Sequence, residues 1–217
     1  CEKPLGMSGA EVRELIAVRD RTGVQIAGAF MVRTHPRWIA VHELITAGRI
    51  GELKHIGCHF SYSAREPANV RNVVEYGGGA LMDIGCYPIH IARWMYGAEP
   101  LEVMALIERD PDVRVDRLVS ALLRFESGQA SFTVGGELVP WQRVEFFGTL
   151  GRIEVRLPFN TPPDYAGEII IDDEITRATT PPGRQPAASL DLEFPALAAQ
   201  HERQIRHRVR EDGRYAA

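Results

Sequence analysis

Residues 77–90 read GGGALMDIGCYPIH, and the interpretation of this stretch decides both the fold and the site. Asp83 and Tyr87 are four apart and His90 is three further on, so on a helix all three project from neighbouring turns of one face. Proton-handling side chains in that arrangement make a reactive edge rather than a core stripe. The glycine triplet in front suits a turn that brings backbone close to another group, because a residue without Cβ takes positive φ at little steric cost. A ligand would fit against such a turn. Pro88 complicates the helix: inside it, the ring clashes with the carbonyl of Ile84 and kinks the axis. Alternatively the regular helix begins near Pro88, with proline in the favoured first turn and Asp83 on an irregular turn before it. The helix ends near Gly97.

Upstream, residues 1–7 read as a loop that runs into a capped helix. Ser8 accepts from the amide of Glu11, and Glu11 reaches back as the other half of a capping box ahead of the apolar Val12, Leu15, Ile16 and Val18. Val24–Gly28 reads as a short buried strand, giving the helix-strand end of a βαβ unit whose first strand is absent. Pro36–Ala47 carries apolar residues at helical spacing up to Gly48, and a strand is expected over 53–62. Residues 63–76, with Arg71, are a surface loop leading into the glycines.

From Leu101 the period becomes two. Val103, Ala105 and Ile107 form one face of a strand, and Val119, Ala121, Leu123 and Phe125 one face of the next, with a hairpin turn at Glu126–Gln129. Val144 and Phe146 pair by pattern with Ile153, Val155 and Leu157, while Arg143, Glu145, Arg152, Glu154 and Arg156 face the other way. With helices for only one side, the second face meets solvent or a subunit, and Met104, Leu106, Leu118 and Leu122 favour a subunit. Residues 158–190 are a long excursion with one strand at Ile169–Ile171, and 193–210 form a last helix with arginines outside. The expected fold class is α+β: an open-faced, mainly antiparallel sheet with helices on one face.

Composition is that of a soluble globular protein, 45% hydrophobic and 25% charged over 217 residues. A net charge of -4 supplies no basic field for phosphate backbones, so nucleic acid is not an expected partner. No apolar run approaches the roughly 20 residues of a membrane span, and a cytoplasmic location is expected. Cys1, Cys58 and Cys86 form no CxxC pair. His55 and His59 share a strand face from which Cys58 points away, so no metal site is expected.

Glu2-Lys3-Pro4, the spacing on to Arg33 and Pro36, the turn Gly48-Arg49-Ile50-Gly51-Glu52-Leu53, and GGGALMDIGCYP, in this order, resemble the Gfo/Idh/MocA oxidoreductases over nearly the whole chain. The resemblance implies a Rossmann domain for NAD or NADP followed by an open-sheet domain that mediates assembly. Residues 1–28 would be the end of the first and 29–217 the substrate-binding and oligomerisation domain. It also implies catalytic roles for Lys3, Asp83 and Tyr87, cofactor contacts from Glu2, Lys3 and Pro4, and substrate contacts from His90, Arg71 and Arg33. Tyr87 falls where many members carry histidine, which is similar to the branch of glucose-fructose oxidoreductase and the dihydrodiol dehydrogenases. The chain departs from the family in lacking GxGxxG, since Met82 stands where the triplet would need its third glycine. A piece of a longer enzyme is the expectation.

The chemistry suits these residue types. Moving a hydride off a carbinol carbon requires the hydroxyl proton to leave, so a donor and acceptor must lie within about 3 Å of that oxygen. Lys3 and Tyr87 are the candidates, and Asp83 either keeps the lysine charged or holds a substrate hydroxyl. Taken singly, Lys3 also fits a surface lysine, Tyr87 a core aromatic and Asp83 a helix cap. The expected function is NAD(P)-dependent hydride transfer to or from a sugar, polyol or similar hydroxylated compound, by a homo-oligomer assembled through the open sheet face. The alternatives are a non-catalytic assembly or ligand-binding module and a redox-neutral lyase or hydrolase of the same family.

Overall fold

The computed structural model describes residues 1–64, 66, 68–162, 167–173 and the backbone of 188–191. The described residues form two compact units, one of Cys1–His35 and one beginning at Pro36. The last helix expected over 193–210 lies outside the described residues.

In the first unit, helix α1 (Gly9–Thr22) starts where Ser8 Oγ accepts from the amide of Glu11 at 3.2 Å and ends at Gly23 in the left-handed conformation. The capping box is modified: Glu11 Oε2 accepts from the amide of Met7, at 2.9 Å, instead of that of Ser8. Cys1 N donates to Ala27 O and Ala29 N donates to Cys1 O, the alternation of a parallel bridge, so the two ends of a βαβ turn are present. Val24–Gly28 nevertheless forms no strand, contrary to expectation. A strand is a ladder of paired backbones, and the exchange with Cys1 is a single bridge.

The second unit comprises α2 (Pro36–Thr46), β1 (Leu53–Ser63), α3 (Cys86–Tyr96), β2 (Glu102–Arg109), β3 (Asp116–Arg124), β4 (Gln129–Gly135), β5 (Glu137–Gly148), β6 (Gly151–Arg156), β7 (Glu168–Asp173) and β8 (Ala188–Asp191). The strands form one sheet in the order β2-β3-β4-β1-β5-β6-β7-β8. Among the described pairings of this sheet only β1–β4 is parallel. The expected α+β open sheet is therefore present. The paired register Val144 with Val155 and Phe146 with Ile153 matches the apolar pattern, and all four side chains are fully buried.

Strand β1 is central because its alternation serves two environments. Ile56, Cys58 and Phe60 are buried towards the helices, while His55 and His59 occupy the other face. On that other face Glu154, 2% exposed, receives Arg143 at 2.7 Å, Arg152 at 3.2 Å and Arg156 at 2.8 Å. Burial pushes the Glu154 carboxyl up, and the bonds from the three arginines outweigh it and hold it below the usual range. Strand β2 departs from the sequence pattern. Val103 and Ile107 were expected to face inward, yet the strand is exposed on both faces, with Val103 at 63% and Leu106 at 77%. The covering helical segments pack mainly on β1 and β4, and a cavity of about 370 Å³ lies between Leu81, Ile89 and Arg93 on the helical side and Val103 and Ala105 on this edge strand.

A buried arginine ties α2 to the far end of the sheet. Arg37, 1% exposed, donates to the carbonyls of Arg156, Leu157 and Pro158 at 3.1, 2.9 and 3.0 Å and to Thr161 Oγ1 at 2.9 Å. Trp38 Nε1 adds a bond to Pro158 O at 3.3 Å. These donors satisfy carbonyls that the sheet no longer pairs once the chain turns at Leu157, whose φ is 44°. Replacing Arg37 with Met removes four charge-assisted bonds and leaves Pro158 O to Trp38 Nε1 and Leu157 O to Thr161 Oγ1, and urea denaturation of the variant is expected to show a loss of about 3 kcal/mol.

Candidate active site

The site elements come together on the helix-covered face of the sheet. Leu81–Gly85 forms a π-helical turn that runs directly into α3 at Cys86. Of the two readings of Pro88, the structure has the second: proline lies in the first turn of α3 and Asp83 on the irregular turn before it. A π turn places Pro88 where the usual amide bond to residue 84 is already out of phase, so the missing donor costs little.

The glycine triplet does bring backbone close to another group, and that group is the protein itself. Gly79 has φ 114°, and a Cβ there would stand 2.2 Å from Asp116 Oδ1. Asp116 Oδ2 in turn accepts from the amide of Leu81 at 2.6 Å and so caps the start of the π turn. A Cβ on Gly78 would meet the carbonyls of Arg71 and Val73 at 2.7 Å, and Gly79 N donates to Arg71 O at 2.9 Å. The loop carrying Arg71 and the turn carrying Asp83 are thus pressed together by two residues that have no side chain.

The consequence is an ion pair. Arg71, in a 3-10 turn at Val70–Asn72, donates from Nε to Asp83 Oδ2 at 2.7 Å, and its guanidinium lies 5.6 Å from the centroid of the Tyr62 ring. The bond to Asp83 holds the Arg71 guanidinium above its ordinary pKa. Burial first and the Asp83 charge second push the Tyr62 phenol well up, so it stays protonated.

Tyr87 lies one turn on, in an aromatic wall. Its ring centroid is 4.7 Å from that of Phe159 and 5.8 Å from that of Phe60, and Phe60 stacks on Phe159 at 4.7 Å. Phe159 stacks on Trp38 at 6.0 Å, which links this wall to the Arg37 anchor. His90 continues the same stripe towards Trp94, 6.3 Å away, which stacks on His42 at 4.8 Å. A cavity of about 560 Å³ opens beside Phe60 and Tyr62 and is also lined by Trp141, Gln142, Arg143 and Arg156.

Of the sequence-predicted residues, Arg71 and Asp83 are brought into contact, and Tyr87 and His90 share the adjoining face. Glu2, Lys3 and Pro4 belong to the first unit, on the bend after the Cys1 pairing, and Arg33 closes a 3-10 turn at Met31–Arg33 in that unit. For a dinucleotide the first unit offers a partial fit. Glu2, Lys3 and Pro4 follow the carboxyl end of a parallel backbone pairing, the edge at which α/β sheets bind nucleotides, but the chain has no GxGxxG turn. His55 and His59 lie on the opposite face of β1 from Cys58, and among the described residues no cluster of three or more His, Cys, Asp or Glu is placed to hold a metal.

Sequence reasoning missed Phe60, Tyr62, Phe159 and Asp116. The alternation of Phe60 and Tyr62 along β1, on the face opposite His59 and Ser61, was a usable signal for the first two. Nothing local marks Asp116 or Phe159.

The model of the GFO/IDH/MocA C-terminal domain matches residues 38–154. The chain belongs to the GFO/IDH/MocA family. It is 41% identical over 174 residues to an oxidoreductase of Rhizobium meliloti, covering 80% of this chain and 52% of that protein. It is 33% identical to the dTDP-3,4-didehydro-2,6-dideoxy-alpha-D-glucose 3-reductase of Actinomadura kijaniata, covering 79% of this chain and 52% of that enzyme. The chain therefore spans about half the length of these relatives. The crystal structure of KijD10, a 3-ketoreductase from Actinomadura kijaniata, in complex with NADP and TDP-benzene superposes with a TM-score of 0.79 at 27% identity, over 95% of this chain and 60% of that one. Variants of KijD10 carry substitutions at a lysine and at a tyrosine, and these two positions are as far apart in its chain as Lys3 and Tyr87 are here.

The tight fit of the triplet is directly testable. Gly79→Ala is expected to lower stability by about 2–3 kcal/mol in chemical denaturation, combining a strained φ with displacement of the Asp116 cap.

Proposed function

We propose that this chain is the substrate-binding and assembly portion of an NAD(P)-dependent oxidoreductase of the cytoplasm that moves a hydride between a nicotinamide cofactor and a sugar, polyol or similar hydroxylated compound. NADP is the favoured cofactor, on the strength of the KijD10 complex. Residues 1–28 are then the end of a dinucleotide-binding domain and 29–217 the substrate and oligomerisation domain. The observation that carries the reading is the pairing of an engaged carboxylate, Asp83, with a phenol set in an aromatic wall, Tyr87, on consecutive turns. The spacing from Lys3 to Tyr87, equal to that of the two substituted positions in KijD10, supports adding Lys3 to the set.

When bound, the nicotinamide cofactor supplies hydride-transfer chemistry, and Glu2, Lys3 and Pro4 are the residues of this chain that would hold it. The protein's own work is proton handling. In the oxidative direction the substrate hydroxyl gives up its proton as the carbonyl forms, and in the reductive direction the carbonyl oxygen receives one. Tyr87 Oη is the group that takes and returns it, with the Lys3 amine stabilising the charge that develops on the oxygen. Asp83 fixes a substrate hydroxyl by charge-assisted hydrogen bonding. Phe60 and Phe159 exclude water from the phenol. Arg71 and His90, with Arg33, are assigned to substrate recognition.

In the intact protein, Lys3→Met is expected to abolish NADPH formation from sugar substrates, and Tyr87→Phe to lower kcat about 100-fold, both measured spectrophotometrically. Product formation without net change in the cofactor overturns the redox reading. The open sheet face, with Met104 at 70%, Leu106 at 77% and Leu122 at 53% exposure, is proposed as the contact between copies. Leu106→Glu is expected to shift the intact protein to a smaller species in light scattering while leaving its melting temperature within a few degrees.

A further inference from the structure

We propose that the cavity of about 560 Å³ at the end of the sheet where β1 finishes is a second ligand site, which takes a neutral polyhydroxylated ring such as a sugar or a cyclitol. It is separate from the face that carries Asp83 and Tyr87. Neither of those residues lines it, nor does His90, and among the described residues Phe60 alone of the aromatic wall borders both.

Irregular pairing builds the walls. From Ser61 to Ser63 strand β1 advances two residues while its partner β5 goes from Trp141 back to Glu137, so β5 carries two residues more than a regular ladder holds. Excess residues leave the ladder, and Pro140 among them has no amide to give it. Ser61 Oγ donates to Val139 O at 2.7 Å and ties this bulge down. Gln142 Oε1 accepts from the amides of Phe159 and Asn160 at 2.8 and 3.0 Å and holds the segment after β6 as another wall. The opening is thus fixed by hydrogen bonds before any ligand arrives, and its volume lies within the range of small-molecule sites.

The lining selects the chemistry. Trp141 is an exposed aromatic ring, and Phe60, Pro140 and Leu157 add apolar surface, which suits the C–H face of a saturated ring. The polar part is a ladder in which Glu154 takes Arg143 at 2.7 Å and Arg156 at 2.8 Å. Guanidinium and carboxylate are planar groups with paired donors or paired acceptors, and a vicinal diol, which both donates and accepts, bonds to either. An anion would compete with Glu154 for the same guanidinium groups. A purely apolar ligand would take these charges out of water without replacing its hydrogen bonds. A neutral ring rich in hydroxyls avoids both costs.

The test is the fluorescence of Trp141 in the intact protein without cofactor, so that its outcome is independent of the redox reading. D-glucose is expected to give a saturable change in indole emission that is absent from Trp141→Phe and retained in Tyr87→Phe. Arg156→Gln leaves Glu154 its bonds from Arg143 and Arg152, and it is expected to raise the apparent Kd about tenfold, the scale of one hydrogen bond from a charged group. The anionic probes D-gluconate and inorganic phosphate are expected to bind more weakly than D-glucose. No saturable change, a change that survives Trp141→Phe, its loss in Tyr87→Phe, or an unaltered Kd in Arg156→Gln overturns the proposal. Tighter binding of either anion does the same. A fall in molar mass by light scattering in Trp141→Ala, with no response of the indole to D-glucose, gives the cavity to a second copy and likewise overturns it.

Discussion

The close approach of the Gly78–Gly79 backbone to Asp116 and to the Arg71 loop is the constraint on which the site depends. A carboxylate oxygen of Asp116 occupies the space that a Cβ on Gly79 would fill, and its other oxygen caps the amide of Leu81. The π turn can therefore start against β3 with its exposed amide satisfied. Because Gly78 presses on the carbonyls of Arg71 and Val73, the same contact brings a guanidinium to Asp83. One steric allowance thus positions a turn, its cap and the counter-ion of its acid.

A second constraint shapes the aromatic half of the site. Arg37 gathers three carbonyls and a hydroxyl at the exit of β6, where the chain leaves the sheet through a residue of positive φ. A planar fork of five donors suits a cluster of backbone acceptors that a lysine would satisfy less completely. The turn delivers Phe159 to the ring cluster of Trp38, Phe60 and Tyr87. Stability and site geometry are coupled here through one buried side chain.

The two faces of the sheet carry different physics. Beneath the helices the contacts are aromatic and aliphatic. On the open face, charges alternate in ladders around Glu154, while the β2–β3 end presents Met104, Leu106 and Leu122. An ordered set of ion pairs beside an exposed apolar strip suits a surface that is to be covered by a partner, because the charges fix registry and the apolar strip contributes the burial.

Read alone, the sequence specified most of the elements. Alternation across β3, β5 and β6 predicted their pairing and their buried sides, helical spacing located α2 and α3, and Ser8 marked the start of α1. These are local properties, since a period of two or of 3.6 is written into neighbouring residues. Asp83, Tyr87 and the glycine triplet were legible for the same reason. Tertiary structure alone decided that the triplet's partner is Asp116, that β1 and β4 run parallel, that Val24–Gly28 forms no strand, and that Arg71 meets Asp83. Each joins groups distant in the chain or depends on which backbone lies alongside, and no local periodicity encodes such a neighbour.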